Sequence, residues 1–348
     1  PANLLAPGHA RARNLHMAKV GVVGTTSWGT TLAILLGRSG HDVTIWARTE
    51  ADARLLQEAR RNDRFLPGVD FPDGLKITAD TSEAFGHAEL VLLAVPSSSV
   101  TENAARIASS VSGGAIVISA TKGIDEATGQ RMSQLAGTAL GRDDVGALSG
   151  PNLALEIAEG KPATTTVAHA NELAAATVQG ILNSSVFRVY TSSDLIGVEL
   201  GGALKNIITI GAGFIDGHGL GNNSKSAFVT RGLAEITRLG VAMGARAETF
   251  AGLSGMGDLI TSCYSGLSRN RFVGQELAKG RSAAEIVAGM DQVAEGVKTT
   301  HAAVAVAESL GVDMPIARVT RAVLLGELDP KSAIAGLMTR APVSETES

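Results

Sequence analysis

The sequence predicts an α/β domain, a mostly parallel sheet with helices on both of its faces, followed by an all-α domain. In the first part of the chain, short apolar runs rich in β-branched residues alternate with longer segments of helical spacing. The early runs are apolar nearly throughout, as strands buried on both faces of a parallel sheet are. After about Leu195 no further strand is evident, and several of the helical segments end at glycine.

Seven strands are expected in the first part of the chain. They are "KVGVVG" (19–24), "DVTIWA" (42–47), "LVLLAVP" (90–96), "AIVISAT" (115–121), "VGALSG" (145–150), "TTTVAH" (164–169) and "FRVYTS" (187–192). The segments 30–40 and 100–110 have helical spacing and lie between successive strands. This alternation predicts a doubly wound, Rossmann-like domain.

The later segments predict helices. They cover residues 226–244, 282–290, 298–311 and 316–328. We expect the change from sheet to helices within residues 195–206, and we divide the chain into a domain of residues 17–203 and one of residues 204–340. We interpret residues 1–16 as an upstream extension or a cloning remnant, and expect them and residues 341–348 to be disordered.

Composition excludes several classes of protein. The 348 residues are 45% hydrophobic and 18% charged, with a net charge of −4 and no dense Lys/Arg run. That charge argues against a nucleic-acid partner, which only Arg11, Arg13 and His16 suggest. One cysteine, Cys263, excludes an intramolecular disulfide and fits a reducing compartment. No apolar stretch is expected to reach the ~18 residues needed to cross a membrane. We therefore expect a cytoplasmic protein without membrane insertion.

No metal site is expected. The seven histidines show no metal-ligand spacing. We expect His218 and His301 to lie on the surface or to serve packing.

The turn "GTTSWG" (24–29) has the pattern of a phosphate-binding turn with one departure. Gly24 ends the first strand, and Gly29 lets the next helix pack closely on the sheet. Ser27 adds a hydrogen-bond donor and Trp28 a flat surface. Thr26 stands where a second glycine usually gives the phosphates room, so either its hydroxyl bonds a phosphate or the loop shifts outward. On these residues alone, a merely structural turn stays possible.

Arg48, at the end of the second strand, bears on the choice of cofactor. An acidic residue there bonds the ribose 2′-hydroxyl of NAD, whereas an arginine pairs with the 2′-phosphate of NADP. We therefore expect NADP(H) to be favoured, with NAD(H) possible because Glu50 is close by. The alternative is a solvated surface arginine.

Two lysines stand in otherwise apolar surroundings. Lys122 follows a predicted strand directly, at the sheet edge where ligands bind. Lys205 lies within "VELGGALKNIITIGAG" (198–213), a run almost free of charge. Because an isolated buried ammonium is costly, such a lysine is either capped by oxygen atoms for structural reasons or poised to exchange a proton.

An ordered set of motifs resembles the bacterial-type NAD(P)-dependent glycerol-3-phosphate dehydrogenases. In chain order these are "GTTSWGTTLA", "NDRFLPG", "AVPS", "TKGID", "LSGPNLALEIAEGKPA", "FRVYTSSDLIGVELGGALKNI", "RGLAEITRLG", "GLSGMGDLITSC", "SRNRFVG" and "VAEGVKT". They extend from about residue 19 to residue 340. The resemblance implies an N-terminal dinucleotide-binding domain, a helical substrate-binding domain and reduction of dihydroxyacetone phosphate to glycerol 3-phosphate for phospholipid synthesis. It also implies a homodimer, which is usual in the family.

The resemblance also implies roles for individual residues. Lys205 matches the catalytic lysine that exchanges a proton with the substrate oxygen, and Lys122 and Asp258 complete the catalytic group. The implied substrate-binding residues are Lys122, Gly150, Asn152, Lys205, Asp258, Ser268, Arg269 and Asn270. The implied cofactor-binding residues are Gly24, Ser27, Trp28, Gly29, Arg48, Phe65, Lys122, Ala154, Arg269, Val293 and Glu295.

Four residues depart from the family pattern. They are Thr26 for glycine, Phe65 for tyrosine, Asn152 for serine or threonine, and Leu153 for phenylalanine. Thr26 puts the cofactor affinity in question. Two other functions therefore stay open: a related dehydrogenase acting on another phosphorylated or β-hydroxy acid substrate, and a cofactor-binding sensor that has lost turnover. A purely structural role also stays open for three of these sites. Asp258 would then be a loop or helix-cap aspartate, residues 268–270 a polar helix start with a surface arginine, and Glu295 the start of a solvated helix.

Overall fold

The computed structural model of the chain describes residues 17–329, 332, 333 and 336. The predictions for residues 1–16 and 341–348 lie outside these residues.

One sheet organises the first part of the chain. Within the described residues its eight strands are β1 (Lys19–Val23), β2 (Asp42–Trp46), β3 (Lys76–Thr78), β4 (Leu90–Leu93), β5 (Ile116–Ser119), β6 (Val145–Ser149), β7 (Ala163–Ala168) and β8 (Phe187–Ser192). Their order across the sheet is β3-β2-β1-β4-β5-β6-β7-β8. Every neighbouring pair is parallel except β6 and β7, which pair antiparallel. The predicted mostly parallel sheet is confirmed.

The sequence pattern did not reveal β3. This strand has three residues and an exposed lysine at its start, so it offers neither an apolar run nor a full alternation. It extends the sheet beyond β2, pairing Thr44 with Lys76 and Trp46 with Thr78. The other seven strands match the predicted runs. Strand β4 ends at Leu93, three residues before the end of the predicted run 90–96.

Helices cover both faces of the sheet. Those preceding the last strand are α1 (Ser27–Arg38), α2 (Glu50–Ala59), α3 (Thr81–Phe85), α4 (Val100–Ile107), α5 (Met132–Leu140), α6 (Ala154–Ala158) and α7 (Glu172–Leu182). Side chains of α1, α6 and α7 join one apolar cluster, and those of α3, α4 and α5 join another. Along β4, Leu90 and Leu92 enter the first cluster while Val91 and Leu93 enter the second, because successive side chains point to opposite faces.

Only helices follow β8 in the described chain. They are α8 (Leu195–Gly217), α9 (Gly221–Ala242), α10 (Ala247–Phe250), α11 (Asp258–Tyr264), α12 (Arg269–Ala278), α13 (Ala283–Ala288), α14 (Glu295–Leu310) and α15 (Pro315–Leu324), with a π-helical turn at Leu253–Gly257. The predicted all-α second domain is confirmed. The boundary expected after residue 203 falls inside α8, so the change from sheet to helices lies between β8 and α8.

Helix α8 is the centre of the second domain. It packs against α9, α11, α12, α14 and α15, which explains why it is apolar on all sides. By length and composition alone this 23-residue helix could cross a membrane, since its most apolar stretch has a mean hydropathy of 1.3, so the expectation that no apolar stretch is long enough is wrong. However, 83% of its most apolar stretch is buried inside the protein, as in the core helix of a globular domain.

Candidate active site

The site lies at the carboxyl ends of β1, β4 and β5. In an open parallel sheet, loops at this edge form the ligand crevice. Here the loop after β1 carries the "GTTSWG" turn, the loop after β4 carries Ser97, and the loop after β5 carries Lys122. The helical domain adds α8, α11, α12 and the start of α14 to this edge.

The phosphate-binding turn is closely packed. Gly24 has a φ of +120°, which disfavours other residues, and a Cβ on Gly29 would lie 2.2 Å from the Gly24 carbonyl oxygen. Thr26 is the N-cap residue of α1, but its hydroxyl accepts no hydrogen bond from the first helix N–H groups and instead donates to the Ala94 carbonyl oxygen at 3.3 Å. The backbone N–H groups of residues 27–29 have no partner among the residues described.

Asn62, which the sequence analysis did not single out, holds this turn in shape. Its buried amide donates to the Thr25 carbonyl oxygen at 2.7 Å and to the Thr30 hydroxyl at 2.9 Å. Asn62 begins the motif "NDRFLPG", so the only signal in the sequence was its place in a motif that the family resemblance had already included.

These residues fit a dinucleotide. Unpartnered N–H groups at the start of a 12-residue helix form an anion-binding site, and the two glycines allow close approach of a pyrophosphate. Arg48, two residues beyond β2, is exposed and makes no hydrogen bond or ion pair with any described residue, so its guanidinium is available to a ligand. Phe65 is half-buried beneath the Arg64 guanidinium, 5.0 Å from its ring centre.

The loop before α14 bridges to the dinucleotide-binding domain. The Ser27 hydroxyl donates to Gln292 Oε1 at 3.1 Å, and Glu295 accepts from the Ser97 N–H at 3.0 Å and from its hydroxyl at 2.5 Å. Val293, between these contacts, is 38% exposed. The structure therefore brings the predicted residues Ser27, Val293 and Glu295 to one place, and adds Ser97 and Gln292.

Two lysines meet on one aspartate. Asp258 begins α11, where it is 2% exposed, and accepts from Lys122 Nζ at 2.5 Å and lies 3.0 Å from Lys205 Nζ. Lys122 also donates to the Gly150 carbonyl oxygen at 3.0 Å. The three charges sum to +1, so the cluster favours an anionic or electron-rich ligand oxygen. These contacts join four of the predicted site residues.

The Lys205 ammonium is buried at a cost. Its side chain is 8% exposed on the innermost helix of the domain. Burial penalises the charged form and lowers the pKa of Lys205 from 10.5 to about 8, although Asp258 opposes this shift; the charge of Lys122 adds to it. A lysine with this pKa exchanges a proton readily near neutral pH.

Ser262 completes the group and was missing from the predicted residues. Its hydroxyl accepts from Lys205 Nζ and lies 3.4 Å from Asp258 Oδ1. The signal in the sequence was its spacing, since residues four apart on a helix share a face and Asp258 and Ser262 are four apart on α11.

The predicted trio 268–270 lies at the start of α12. Ser268 is the N-cap residue and accepts from the Arg271 N–H at 3.3 Å, as expected of a helix start. The exposed Arg269 makes no hydrogen bond or ion pair with any residue from 17 to 329. Asn270 is buried and links two helices, donating to Asn206 Oδ1 and accepting from the Gly296 N–H, each at 2.9 Å.

Two further predicted residues connect the site to its scaffold. Asn152 donates to the Thr164 carbonyl oxygen at 3.0 Å and accepts from the Thr165 hydroxyl at 2.9 Å, so its amide is engaged by β7 rather than by the lysine cluster. Ala154 begins α6, and its carbonyl oxygen accepts from the Thr31 hydroxyl of α1 at 3.1 Å.

The described residues contain no group of three or more His, Cys, Asp or Glu that could hold a metal ion. His218 packs edge-on against Phe214, 4.5 Å between ring centres, in agreement with a packing role. Cys263 is buried, and burial raises the pKa of its thiol to about 11, so it carries no reactive thiolate.

Comparison with known proteins identifies the family of the chain. Residues 19–175 match the family model of the NAD-dependent glycerol-3-phosphate dehydrogenase N-terminus, and residues 194–335 match that of its C-terminus. Curated proteins named glycerol-3-phosphate dehydrogenase [NAD(P)+] are similar throughout. The one from Dehalococcoides mccartyi is 46% identical over 92% of this chain and 91% of its own length, and the one from Prosthecochloris aestuarii is 44% identical over 93% and 98%.

A solved structure has the same architecture. The glycerol-3-phosphate dehydrogenase of Coxiella burnetii superposes with a TM-score of 0.88 at 34% identity, covering 93% of this chain and 99% of that one. Two family models, relatives of 44–46% identity and a shared fold thus identify the family. The chain belongs to the NAD-dependent glycerol-3-phosphate dehydrogenase family.

Proposed function

We propose that this protein reduces dihydroxyacetone phosphate to sn-glycerol 3-phosphate by hydride transfer from NAD(P)H, and that Lys205 exchanges the proton. The observation that carries the proposal is the convergence of Lys122 and Lys205 on the buried Asp258, beside a turn that fits a dinucleotide. The names of the relatives, which specify this dehydrogenase and NAD(P), support the substrate and the cofactor class.

The mechanism follows from the two ammonium groups. When bound, NAD(P)H supplies the hydride. As the carbonyl carbon gains that hydride, its oxygen develops negative charge, which Lys122 and Lys205 stabilise electrostatically. Lys205 then gives a proton to this oxygen, and in the oxidation direction the neutral amine removes it. Asp258 holds both lysines in place.

The start of α12 suits the phosphate group of the substrate. Arg269 offers a planar fork that makes no hydrogen bond or ion pair with the described residues, although the Glu295 charge acts on it, and it begins the first turn of a 10-residue helix. Asn270 connects this turn to the catalytic helix, since it donates to Asn206, the neighbour of Lys205 on α8. Phosphate binding and proton transfer therefore share one rigid support.

The free guanidinium of Arg48 supports a preference for NADP(H) over NAD(H). We further propose a cytoplasmic homodimer whose product enters glycerophospholipid synthesis, as the family resemblance implies. Light scattering tests the dimer, because a single monomeric species contradicts it.

The central experiment follows NAD(P)H oxidation with dihydroxyacetone phosphate. Lys205→Ala is expected to lower kcat about 10²- to 10⁴-fold, the range for loss of a general acid. Lys76→Ala is the matched control, since Lys76 is a surface lysine paired with Asp42 at the far strand of the sheet. Equal rates in wild type and Lys205→Ala contradict the assignment, and cofactor binding without turnover points to a sensor.

Cofactor choice has a separate test. Arg48→Ala is expected to raise the KM for NADPH more than the KM for NADH, because only NADPH carries the 2′-phosphate. Arg106→Ala, which removes a surface arginine on α4 paired with Glu102, serves as the control. Equal changes in both KM values exclude Arg48 as the 2′-phosphate contact.

A further inference from the structure

The segment that carries Lys122 is a closed loop rather than a free one. We call residues 120–131, between β5 and α5, the Lys122 loop. Ile124 and Arg131 form an isolated antiparallel bridge, and the Asp125 N–H donates to the Gln130 carbonyl oxygen at 2.9 Å. Ile124 is 2% exposed and packs in the apolar core of the helical domain. The loop thus leaves the sheet and docks on the second domain with Arg131 at its base.

Glu199 of α8 binds the base of this loop. Its carboxylate accepts from a guanidinium nitrogen of Arg131, from the Ser133 N–H at 2.8 Å and from the Ser133 hydroxyl at 2.6 Å. The Glu199 side chain is 5% exposed and that of Arg131 13%. A buried, hydrogen-bonded ion pair of this kind strongly resists separation, because removal of either partner leaves an uncompensated charge.

Glu199 and Lys205 lie on the same helix. The six-residue step from Glu199 to Lys205 corresponds to about 9 Å of helix rise. Helix α8 therefore binds the base of the Lys122 loop through Glu199 and also carries Lys205. Lys122 in turn meets Lys205 on the shared Asp258. Both lysines are thus connected to α8, Lys205 directly and Lys122 through its loop and the Glu199–Arg131 pair.

We propose that Glu199 is a positioning residue, which holds the Lys122 loop against α8 so that the Lys122 ammonium reaches Asp258 beside Lys205. The inference rests on the proposed function, and it assigns Glu199 no contact with substrate or cofactor. Glu199 acts through Lys122 alone, so that its loss reproduces part of the effect of losing Lys122.

The test compares two buried carboxylates of the same protein. Glu199→Gln is expected to lower kcat about 10- to 100-fold, the scale of a misplaced reacting group. Glu235→Gln is the matched control, because Glu235 is 1% exposed and accepts from the backbone N–H groups of Ile316 and Ala317 rather than from residues at the base of the Lys122 loop. Thermal melts of both variants separate lost stability from lost positioning.

A double-mutant cycle with Lys122→Met tests the route of the effect. If Glu199 acts through Lys122, Glu199→Gln costs activity in the wild-type background and almost none in the Lys122→Met background. Ser133→Ala, which keeps Glu199 and removes one hydrogen bond, gives a smaller loss in the same direction and remains informative if Glu199→Gln folds poorly.

The pH profile provides a readout that a merely structural role leaves unchanged. Three charged or titratable groups act on Lys205: Asp258 and Cys263 of α11, and Lys122 of the Lys122 loop. The positive charge of Lys122 lowers the pKa of Lys205. When Lys122 is withdrawn, the alkaline limb of the reduction profile is expected to shift to higher pH in Glu199→Gln and not in Glu235→Gln.

The outcomes are distinct. Equal kcat losses and unshifted profiles in Glu199→Gln and Glu235→Gln, or additive losses in the cycle with Lys122→Met, overturn the inference and leave the proposed function intact. An inactive wild-type protein overturns the proposed function and with it the inference. A non-additive cycle with a shifted alkaline limb supports both.

Discussion

Lys205 illustrates how one side chain acquires a chemical role from its surroundings. An ammonium on the central helix of an apolar domain loses hydration, and among the described residues Asp258 and the Ser262 hydroxyl replace part of it. Burial lowers the pKa of Lys205 to about 8, so the lysine stays mostly protonated near neutral pH but releases its proton easily.

The pKa of Lys205 predicts opposite pH dependences for the two directions. Reduction needs the ammonium, so its rate is expected to fall as pH rises through about 8. Oxidation needs the neutral amine, so its rate is expected to rise over the same range. Initial rates in both directions from pH 6 to 10 check this. Two profiles that rise together contradict Lys205 as the proton-exchanging group.

Asn62 predicts a defect limited to the cofactor. Asn62→Ala removes both hydrogen bonds that hold the turn at Thr25 and Thr30, which leaves the buried Thr30 hydroxyl and the half-buried Thr25 carbonyl oxygen without this donor and costs about 1–3 kcal/mol of stability. The KM for NADPH is expected to rise several-fold with little change in the KM for dihydroxyacetone phosphate. Steady-state kinetics and calorimetric titration with NADPH measure this, and equal rises in both KM values contradict it.

Substitution of Thr26, in the same turn, is expected to have a different effect on cofactor binding. Its hydroxyl already donates to the Ala94 carbonyl oxygen, which directs that group toward the loop after β4. Thr26→Gly is therefore expected to lose this contact and to strengthen NADPH binding only if the methyl group crowds the phosphates. Unchanged affinity in the same calorimetric titration means that the turn already accommodates threonine.

At the scale of elements, the crossing of α8 and α12 depends on glycines at the contact. A Cβ on Gly274 would lie 1.9 Å from the Ile210 carbonyl oxygen, and one on Gly213 would lie 2.0 Å from the Arg271 carbonyl oxygen. These are backbone atoms of rigid helices, so the helices must move apart to accept a side chain. This close contact fixes the start of α12, which carries Arg269, relative to Lys205.

Gly274→Ala is accordingly expected to destabilise the protein by about 1–3 kcal/mol or more and to raise the KM for dihydroxyacetone phosphate. Gly180→Ala on α7 is the matched control, since its Cβ would meet nothing within 4 Å. That change is expected to stabilise the protein by roughly 0.5–1 kcal/mol, because alanine favours a helix. Denaturant melts rank the two variants, and equal stabilities contradict the packing argument.

At the scale of the whole molecule, buried carboxylates connect separate elements of the chain. Glu199 joins α8 to the Lys122 loop, and Glu235 of α9 joins the start of α15. Burial raises the pKa of Glu235 from 4.5 to about 7, although the two backbone N–H groups favour the ionised form. Because the folded state holds this proton more tightly, the contribution of Glu235 to stability is fully present below pH 4.5 and is lost as pH rises to about 7.

Glu235→Gln should remove this pH dependence. The free energy of unfolding of the variant, taken relative to wild type, is expected to increase between pH 4.5 and pH 7 by up to about 3 kcal/mol, given 1.36 kcal/mol for each pKa unit. Urea melts at both pH values measure the difference, which cancels the other carboxylates of the chain. A difference that stays constant, or decreases, contradicts a raised pKa for Glu235.

The sequence predicted most of the sheet, the helical second part and many residues near the crevice, because apolar runs and glycine turns are local signals. It missed β3, whose three residues carry too little pattern, and it placed a boundary inside α8, whose helical pattern continues past residue 203. It also missed Asn62 and Ser262, whose importance comes from contacts with distant or helically spaced partners rather than from their own residue type.

The sequence by itself determined the fold class, the nucleotide turn and the family resemblance, since each depends on residue types at short spacing. Only the tertiary structure decided that Lys122 and Lys205 share Asp258, which lies 136 residues along the chain from Lys122. The tertiary structure also decided that Glu199 binds Arg131 at the base of the Lys122 loop. Which charges meet in a buried site depends on how helices and loops pack, and packing contacts between distant segments leave no local pattern in a single sequence.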